Sequence, residues 1–188
     1  MEKGQLLADI FCGVGPLAVR AARKGLWVIA NDLNPHCHRY LVENCKGNRV
    51  ADRVMCWNMC AREAMRKIYR EKDGYEPQFR LPDHIYMNLP VDAIEFLDVL
   101  ADYPQEMGTD KMPLVHVNCF VVAEDDQQSR VKLLERVRKV LPQTQDQDLE
   151  AMHHIKNVTV IMRMYCLSIR LRADPNPHEH LQKKVKME

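Results

Sequence analysis

Asp9-Ile10-Phe11-Cys12-Gly13-Val14-Gly15-Pro16 ends an apolar run that begins at Leu6 and opens a stretch, Leu17 to Lys24, with the composition of a short helix. A second apolar run, Trp27 to Ala30, leads directly to Asp32. Strand, glycine turn, helix, strand and acid is the order of a nucleotide-binding βαβ unit. The two glycines let the backbone come close to a ligand. The acid can accept hydrogen bonds from ribose hydroxyls.

Two nucleotide classes fit this unit. Gly13-x-Gly15-x-x-Ala18 satisfies the loose dinucleotide fingerprint, so NAD is one candidate. Asp9 favours the other. A carboxylate just ahead of the first glycine suits a cation better than a pyrophosphate, and S-adenosylmethionine carries both a sulfonium and an ammonium group.

With 188 residues, 46% of them hydrophobic, the chain fits one domain with a sizeable core. A formal charge of +1 neither argues for nucleic acid nor excludes it; only a local patch could. No stretch approaches the roughly 20 apolar residues of a membrane span, and no signal-peptide pattern opens the chain. Seven cysteines without a C-x-x-C pair read as free thiols of a reducing intracellular compartment. A zinc site built from Cys56, Cys60 and a histidine is the minor reading, so no metal is expected. The pairs His36/His38, His153/His154 and His178/His180 have spacings that do not share a helix face and read as surface residues.

Elements alternate along the chain. Strands are expected at Leu6–Phe11, Trp27–Asn31, Val54–Trp57, His84–Met87 and Pro113–Val122. Helices are expected at Leu17–Lys24, from Pro35 behind an Asn34 cap to Cys45, at Ala61–Glu71, Val91–Leu100 and Gln128–Leu141. Loops fall at 74–82 and 103–110, and a turn at 142–148. Two β-like runs, His154–Ile161 and Met164–Leu171, follow with no helix between them, and 173–188 is polar and expected to fray. The alternation implies a doubly wound α/β parallel sheet, and the ending adds an antiparallel hairpin at one edge. That ending is typical of class I, Rossmann-like methyltransferases, with a mostly parallel seven-stranded sheet.

The fourth strand runs into Asn88-Leu89-Pro90. Ligands of open α/β sheets bind beyond the carboxyl ends of the strands, which would put Asn88 opposite the glycine turn. Its planar amide can both donate to and accept from a base edge, and Pro90 stiffens the loop. The bland alternative is an asparagine capping the helix from Val91.

These segments, together with Asn31-Asp32-Leu33-Asn34-Pro35, Met87 to Leu97, and Met164-Tyr165-Cys166-Leu167-Ser168-Ile169-Arg170-Leu171, resemble the eukaryotic and archaeal tRNA (guanine-37-N1)-methyltransferases of the Met-10+-like family. The likeness runs in register from about Leu6 to Leu171, and Met87–Leu97 is its most specific part. It implies an S-adenosylmethionine-dependent enzyme acting on tRNA. It implies that Asp9, Phe11, Cys12, Gly13, Val14 and Gly15 lie by the methionine part of the cofactor. Asp32, Leu33, Asn34, Cys60 and Ala61 would lie by its ribose and adenine, and Asn88 would touch the cofactor while holding the target guanine with Pro90. Cys60 stands where the family carries an aspartate, and a thiol is a poor acceptor.

The family also places RNA-binding and general-base segments ahead of the glycine turn, whereas eight residues precede Asp9 here. The expectation is therefore a fragment: residues 1–172 form the donor-binding domain, monomeric and inactive alone, and 173–188 a flexible tail. Asp92 and Glu95 sit at a helix start, where capping is the ordinary role. Readings from other classes stay open at this point. They are a protein or other nucleic-acid N-methyltransferase, an NAD-dependent dehydrogenase, and a nucleic-acid-binding module using the basic run Arg130 to Lys139, which otherwise reads as a solvated helix face.

Overall fold

The computed structural model describes residues 1–70, 79, 81–101 and 112–171. Most of the loop at 74–82, the loop at 103–110 and the tail at 173–188 lie outside the described residues.

Seven strands form one sheet: β1 Leu6–Asp9, β2 Trp27–Asn31, β3 Val54–Trp57, β4 His84–Met87, β5 Leu114–Val122, β6 Leu149–Asn157 and β7 Met162–Arg170. Their spatial order is β3-β2-β1-β4-β5-β7-β6. The first five pair in parallel, and β7 lies antiparallel to both β5 and β6. The chain order reverses direction across the sheet between β1 and β4. At such a switch point two loops diverge beyond the strand ends and leave a crevice.

Helices cover both faces. On one face α3 (Ala61–Arg70), α4 (Asp126–Val140) and a 3-10 helix at Ala93–Leu100 bury Met65, Ile68, Ile94, Leu97 and Leu133 against Ile10, Ile85, Met87 and Val117. On the other, α1 (Pro16–Arg23) and α2 (Pro35–Gly47) bury Ala18, Ala22 and Leu41 against Leu7, Val28 and Ala30. Strands buried on both sides read as apolar runs rather than alternations, which is why β1 and β2 are legible. Toward β4, β5 and β7 the second face turns polar: His84, Tyr86, His116, Asn118 and Ser168 alternate with core residues.

Local chemistry sets the helix starts. Asn34 caps α2, its side chain accepting from the His36 N–H at 2.9 Å, with Pro35 at the first position. Asp125 caps α4 through the Gln128 N–H at 2.7 Å. The expected helix at Val91–Leu100 is instead a 3-10 helix from Ala93, with bonds such as Glu95 N–H to Asp92 C=O at 3.0 Å. Apolar spacings of three and four serve both helix types, so the pattern alone did not separate them. The hairpin strand β6 begins at Leu149, ahead of the expected His154. It is an edge strand with bulges at Leu149/Ala151 and His154/Lys156, and its largely exposed polar residues mask the pairing. The basic run on α4 is not a free face. Lys132 bonds the Val122 carbonyl at 2.9 Å, Arg130 the Asp146 carbonyl at 3.3 Å, Arg136 pairs with Glu95, and Arg138 with Asp146. Among the described residues no helix is long and apolar enough to cross a membrane.

The turn after β1 requires its glycines to different degrees. Gly13 and Gly15 have φ of +56° and +84°. A Cβ on Gly13 would meet open space, whereas one on Gly15 would stand 2.4 Å from Leu41 Cδ1, a fully buried side chain. Gly13→Ala should cost about 1 kcal/mol of backbone strain. Gly15→Ala should cost at least about 2 kcal/mol, because overpacking adds to the same strain. Urea unfolding midpoints of the two variants check this ordering.

Candidate functional site

The carboxyl ends of β1, β2 and β4 open into a cavity of about 490 Å³. Ile10, Phe11, Gly13, Asn31, Asp32, Leu33, Asn34, Cys60, Ala61, Asn88, Leu89 and Phe96 line it. The wall is mostly apolar, with a few polar groups aimed inward, the usual make-up of a small-molecule site.

Asp32 organises its rim. One carboxylate oxygen accepts the Gly13 N–H at 2.8 Å and the other the Asn34 N–H at 2.9 Å. The turn is thereby tied to the end of β2. Asn31, 1% exposed, does the same one layer down. Its amide nitrogen donates to the Ile10 carbonyl at 3.2 Å and the Met59 carbonyl at 3.1 Å, and its oxygen accepts the Met59 N–H at 3.2 Å. Asn58 closes the outer side, donating to the Asp32 and Leu33 carbonyls at 2.7 and 3.0 Å. Leu33 itself is 69% exposed.

The opposite wall is aromatic. Phe11 and Phe96 meet edge to face with centroids 5.2 Å apart. The Arg62 guanidinium lies 4.2 Å from the Phe96 ring centroid and is held there by both carboxylate oxygens of Asp98 at 3.1 Å. One cation thus fixes an apolar surface through its ring face.

Several expected residues stand outside the wall. Asp9 is 2% exposed and buried beneath the turn, and its Oδ1 has no hydrogen-bond partner. Burial first, and the neighbouring Asp32 charge second, push its carboxyl up to about 7. Cys12 is a buried thiol, driven well above its ordinary range by burial and then by the Asp9 and Asp32 charges, so it carries no thiolate chemistry. Val14 is exposed and its carbonyl accepts from Asn44 at 2.8 Å; Gly15 serves as the left-handed residue before α1. Pro90 sits behind Asn88, its carbonyl accepting the Phe120 N–H at 2.9 Å. Cys60 lines the cavity beside Ala61. Among the described residues no cluster of three or more His, Cys, Asp or Glu is arranged to hold a metal.

Asn88 is exposed at the mouth and does not cap the following helix. Its oxygen accepts from Asn118 Nδ2 at 2.8 Å, and the same nitrogen donates to the Tyr86 hydroxyl at 2.8 Å. Glu95 does not cap either. Burial opposes its ionisation, but Arg136 Nε at 2.8 Å and Nη2 at 2.6 Å hold the carboxyl below its usual range. Ile10, Asn31, Leu89 and Phe96 belong to the site and are missing from the residues expected there. Ile10, Asn31 and Leu89 stood next to expected residues, whereas Phe96 did not, and strand alternation past Asp9 would have turned Ile10 and Asp9 to opposite faces. Asn118 gave no signal, lying inside an apolar run.

Residues 1–140 match the family described as the TRM5/TYW2 methyltransferase domain. A tRNA (guanine(37)-N(1))-methyltransferase of Paramecium tetraurelia is 40% identical over 164 residues, covering 87% of this chain and 38% of that protein. The crystal structure of Trm5b from Pyrococcus abyssi superposes with a TM-score of 0.65 at 25% identity, over 90% of this chain and 45% of that one. M. jannaschii TYW2, crystallised with AdoMet, superposes at 0.67 with 15% identity, over 92% of this chain and 71% of that one. The chain therefore spans little more than a third of the curated relative's length, and it belongs to the TRM5/TYW2 methyltransferase domain family.

Proposed function

We propose that this domain binds S-adenosylmethionine in the cavity and directs its methyl group to N1 of the guanine beside the anticodon, position 37, of tRNA. The observation that carries the reading is one cavity lined by both the Gly13 turn and Asn88, so that a donor site and a base site adjoin. The residues suit the donor. The aromatic wall accepts the apolar faces of the donor's adenine and methylene groups, and the buried Asp9, whose Oδ1 has no partner, gains negative charge under the turn as pH passes about 7. A pyrophosphate would face that charge instead, which disfavours NAD. When bound, the cofactor supplies an electrophilic methyl group.

The protein's share is alignment and water exclusion. Asp32 and Asn31 fix the turn against β2; Phe11 and Phe96 keep one wall dry; Asn88 presents a planar amide to the target base. Guanine N1 must also lose a proton. Among the described residues, Asp32 is engaged by two N–H groups, Glu95 by Arg136, Asp9 is buried off the wall, and Asp92, which makes no side-chain cap to the 3-10 helix, also lies off the wall. None is placed to take it. The chain alone should therefore bind the donor and leave unmodified tRNA unmethylated at guanine 37, as mass spectrometry of nuclease digests would show. Formation of 1-methylguanosine by the chain alone would contradict this. A tRNA substrate would place the protein inside the cell, in keeping with its seven free thiols.

Calorimetric titration tests the donor site, with saturable binding expected for S-adenosylmethionine and none for NAD at the same concentrations. Binding of NAD with no binding of the donor refutes the proposal. Asp9 gives the titration a pH signature. Cations favour its ionised form, so donor affinity should rise as pH passes through 7 and binding should release protons. Asp9→Asn should weaken binding about tenfold and abolish both effects.

The free protein responds in the opposite direction. The folded state keeps a proton on Asp9 that the unfolded chain releases near 3.8, so this group's contribution is full below about pH 4. It is lost as pH rises to about 7, to a total of at most about 4 kcal/mol. Thermal melts of the ligand-free chain across this range should show a decline that Asp9→Asn removes.

A further inference from the structure

We infer that Asn118 sets the polarity of the base site, by holding Asn88 so that its amide hydrogens, and not its carbonyl oxygen, face the substrate. The inference deepens the reading of Asn88 as the residue that meets the target base.

Asn118 is 4% exposed, on the polar side of β5. Its Nδ2 lies 2.8 Å from both the Tyr86 hydroxyl and Asn88 Oδ1, and its own Oδ1 is buried with no partner. An amide can be turned over without changing its outline, so both orientations must be weighed. As it stands, both hydrogens of Nδ2 are used and one carbonyl oxygen is left unpaired. Turned over, the oxygen would take hydrogens from Tyr86 and Asn88, and an NH2 group would be left with two buried hydrogens and no acceptor. Buried donors without acceptors are rarer than under-used carbonyl oxygens. The first orientation is the less costly one.

That choice propagates. With Asn118 donating, Asn88 must turn its oxygen toward β5, and its Nδ2 has no partner among the described residues. The exposed end of Asn88 is then a donor. Such a site matches a base that offers an acceptor there, such as the carbonyl oxygen beside N1 of guanine. It mismatches a base that offers an exocyclic amine at that place, as adenine does. Asn118 touches no substrate in this scheme; it is a positioning residue.

Side-chain amide exchange in the 15N-labelled chain, followed by NMR, reads the orientation without any ligand. Both Asn118 amide hydrogens should exchange at least about tenfold more slowly than those of Asn88. Protection of the Asn88 amide hydrogens, which the turned-over arrangement requires, would overturn the inference. In Asn118→Asp the carboxylate can only accept, so the Asn88 amide should turn over and its hydrogens become protected. Unchanged exchange at Asn88 in a variant with a native backbone spectrum would also overturn it.

The substrate half is read with nucleotides. With S-adenosylmethionine present, guanosine monophosphate at millimolar concentration should shift the Asn88 Nδ2 signal in the wild-type chain and not in Asn118→Asp, while adenosine monophosphate should leave it in place. Equal shifts from both nucleotides, or none from either, would overturn the acceptor assignment. Donor affinity measured in parallel separates the two proposals. A wild-type chain that binds no donor refutes the donor site and leaves the exchange pattern to decide this inference.

Discussion

One carboxylate joins the working parts of this fold. Asp32 stands at the end of β2, yet its oxygens are spent on the N–H groups of Gly13 and Asn34, one in the turn after β1 and one at the cap of α2. Hydrogen bonds to an ionised acceptor are about twice as strong as neutral ones. The turn, the start of α2 and the cavity rim are therefore braced together before any ligand arrives. Asn31 repeats the arrangement one residue earlier by tying the Ile10 and Met59 carbonyls. The acid that sequence reasoning assigned to a ribose thus also has a structural task, and a carboxylate oxygen with two acceptor sites can perform both.

The sheet explains why the cavity lies where it does. Parallel strands β1, β2 and β4 end on the same side, and the order reverses between β1 and β4. The turn after β1 and the loop after β4 diverge there and bring Gly13 and Asn88 to one cavity. The two loops are far apart in sequence, so this juxtaposition follows from strand order and from no local signal.

Legibility in the sequence followed the local physics. Strands β2, β3 and β4 fall where their apolar residues place them, and β2 reads as a continuous apolar run because both of its faces are covered. The start of α2 was legible from Asn34-Pro35, since capping acts over three residues. Features that depend on distant partners were not. The hairpin start at Leu149 is hidden by the solvent-facing residues of an edge strand. Arg136 and Arg138 look like a solvated basic run until Glu95 and Asp146 fold against them. Asn118 disappears among valines, because β5 is apolar on one face only and the polar partners of the other face, Tyr86 and Asn88, arrive from β4 and its loop. Asp9 was read as a ligand contact; it lies under the turn and off the wall, so any influence on a ligand acts through its field.

Leu41 has two neighbourhoods at once. It is a fully buried member of the core between α2 and the sheet, and its terminal methyl occupies the space that a side chain at position 15 would need. The interior of the molecule therefore reaches the ligand turn without an intervening layer. A substitution that reshaped this core, even one conserving its volume, would alter the footing on which the nucleotide loop rests. Two properties that evolution often adjusts separately, the tightness of the interior and the shape of the binding edge, are here carried by one methyl group.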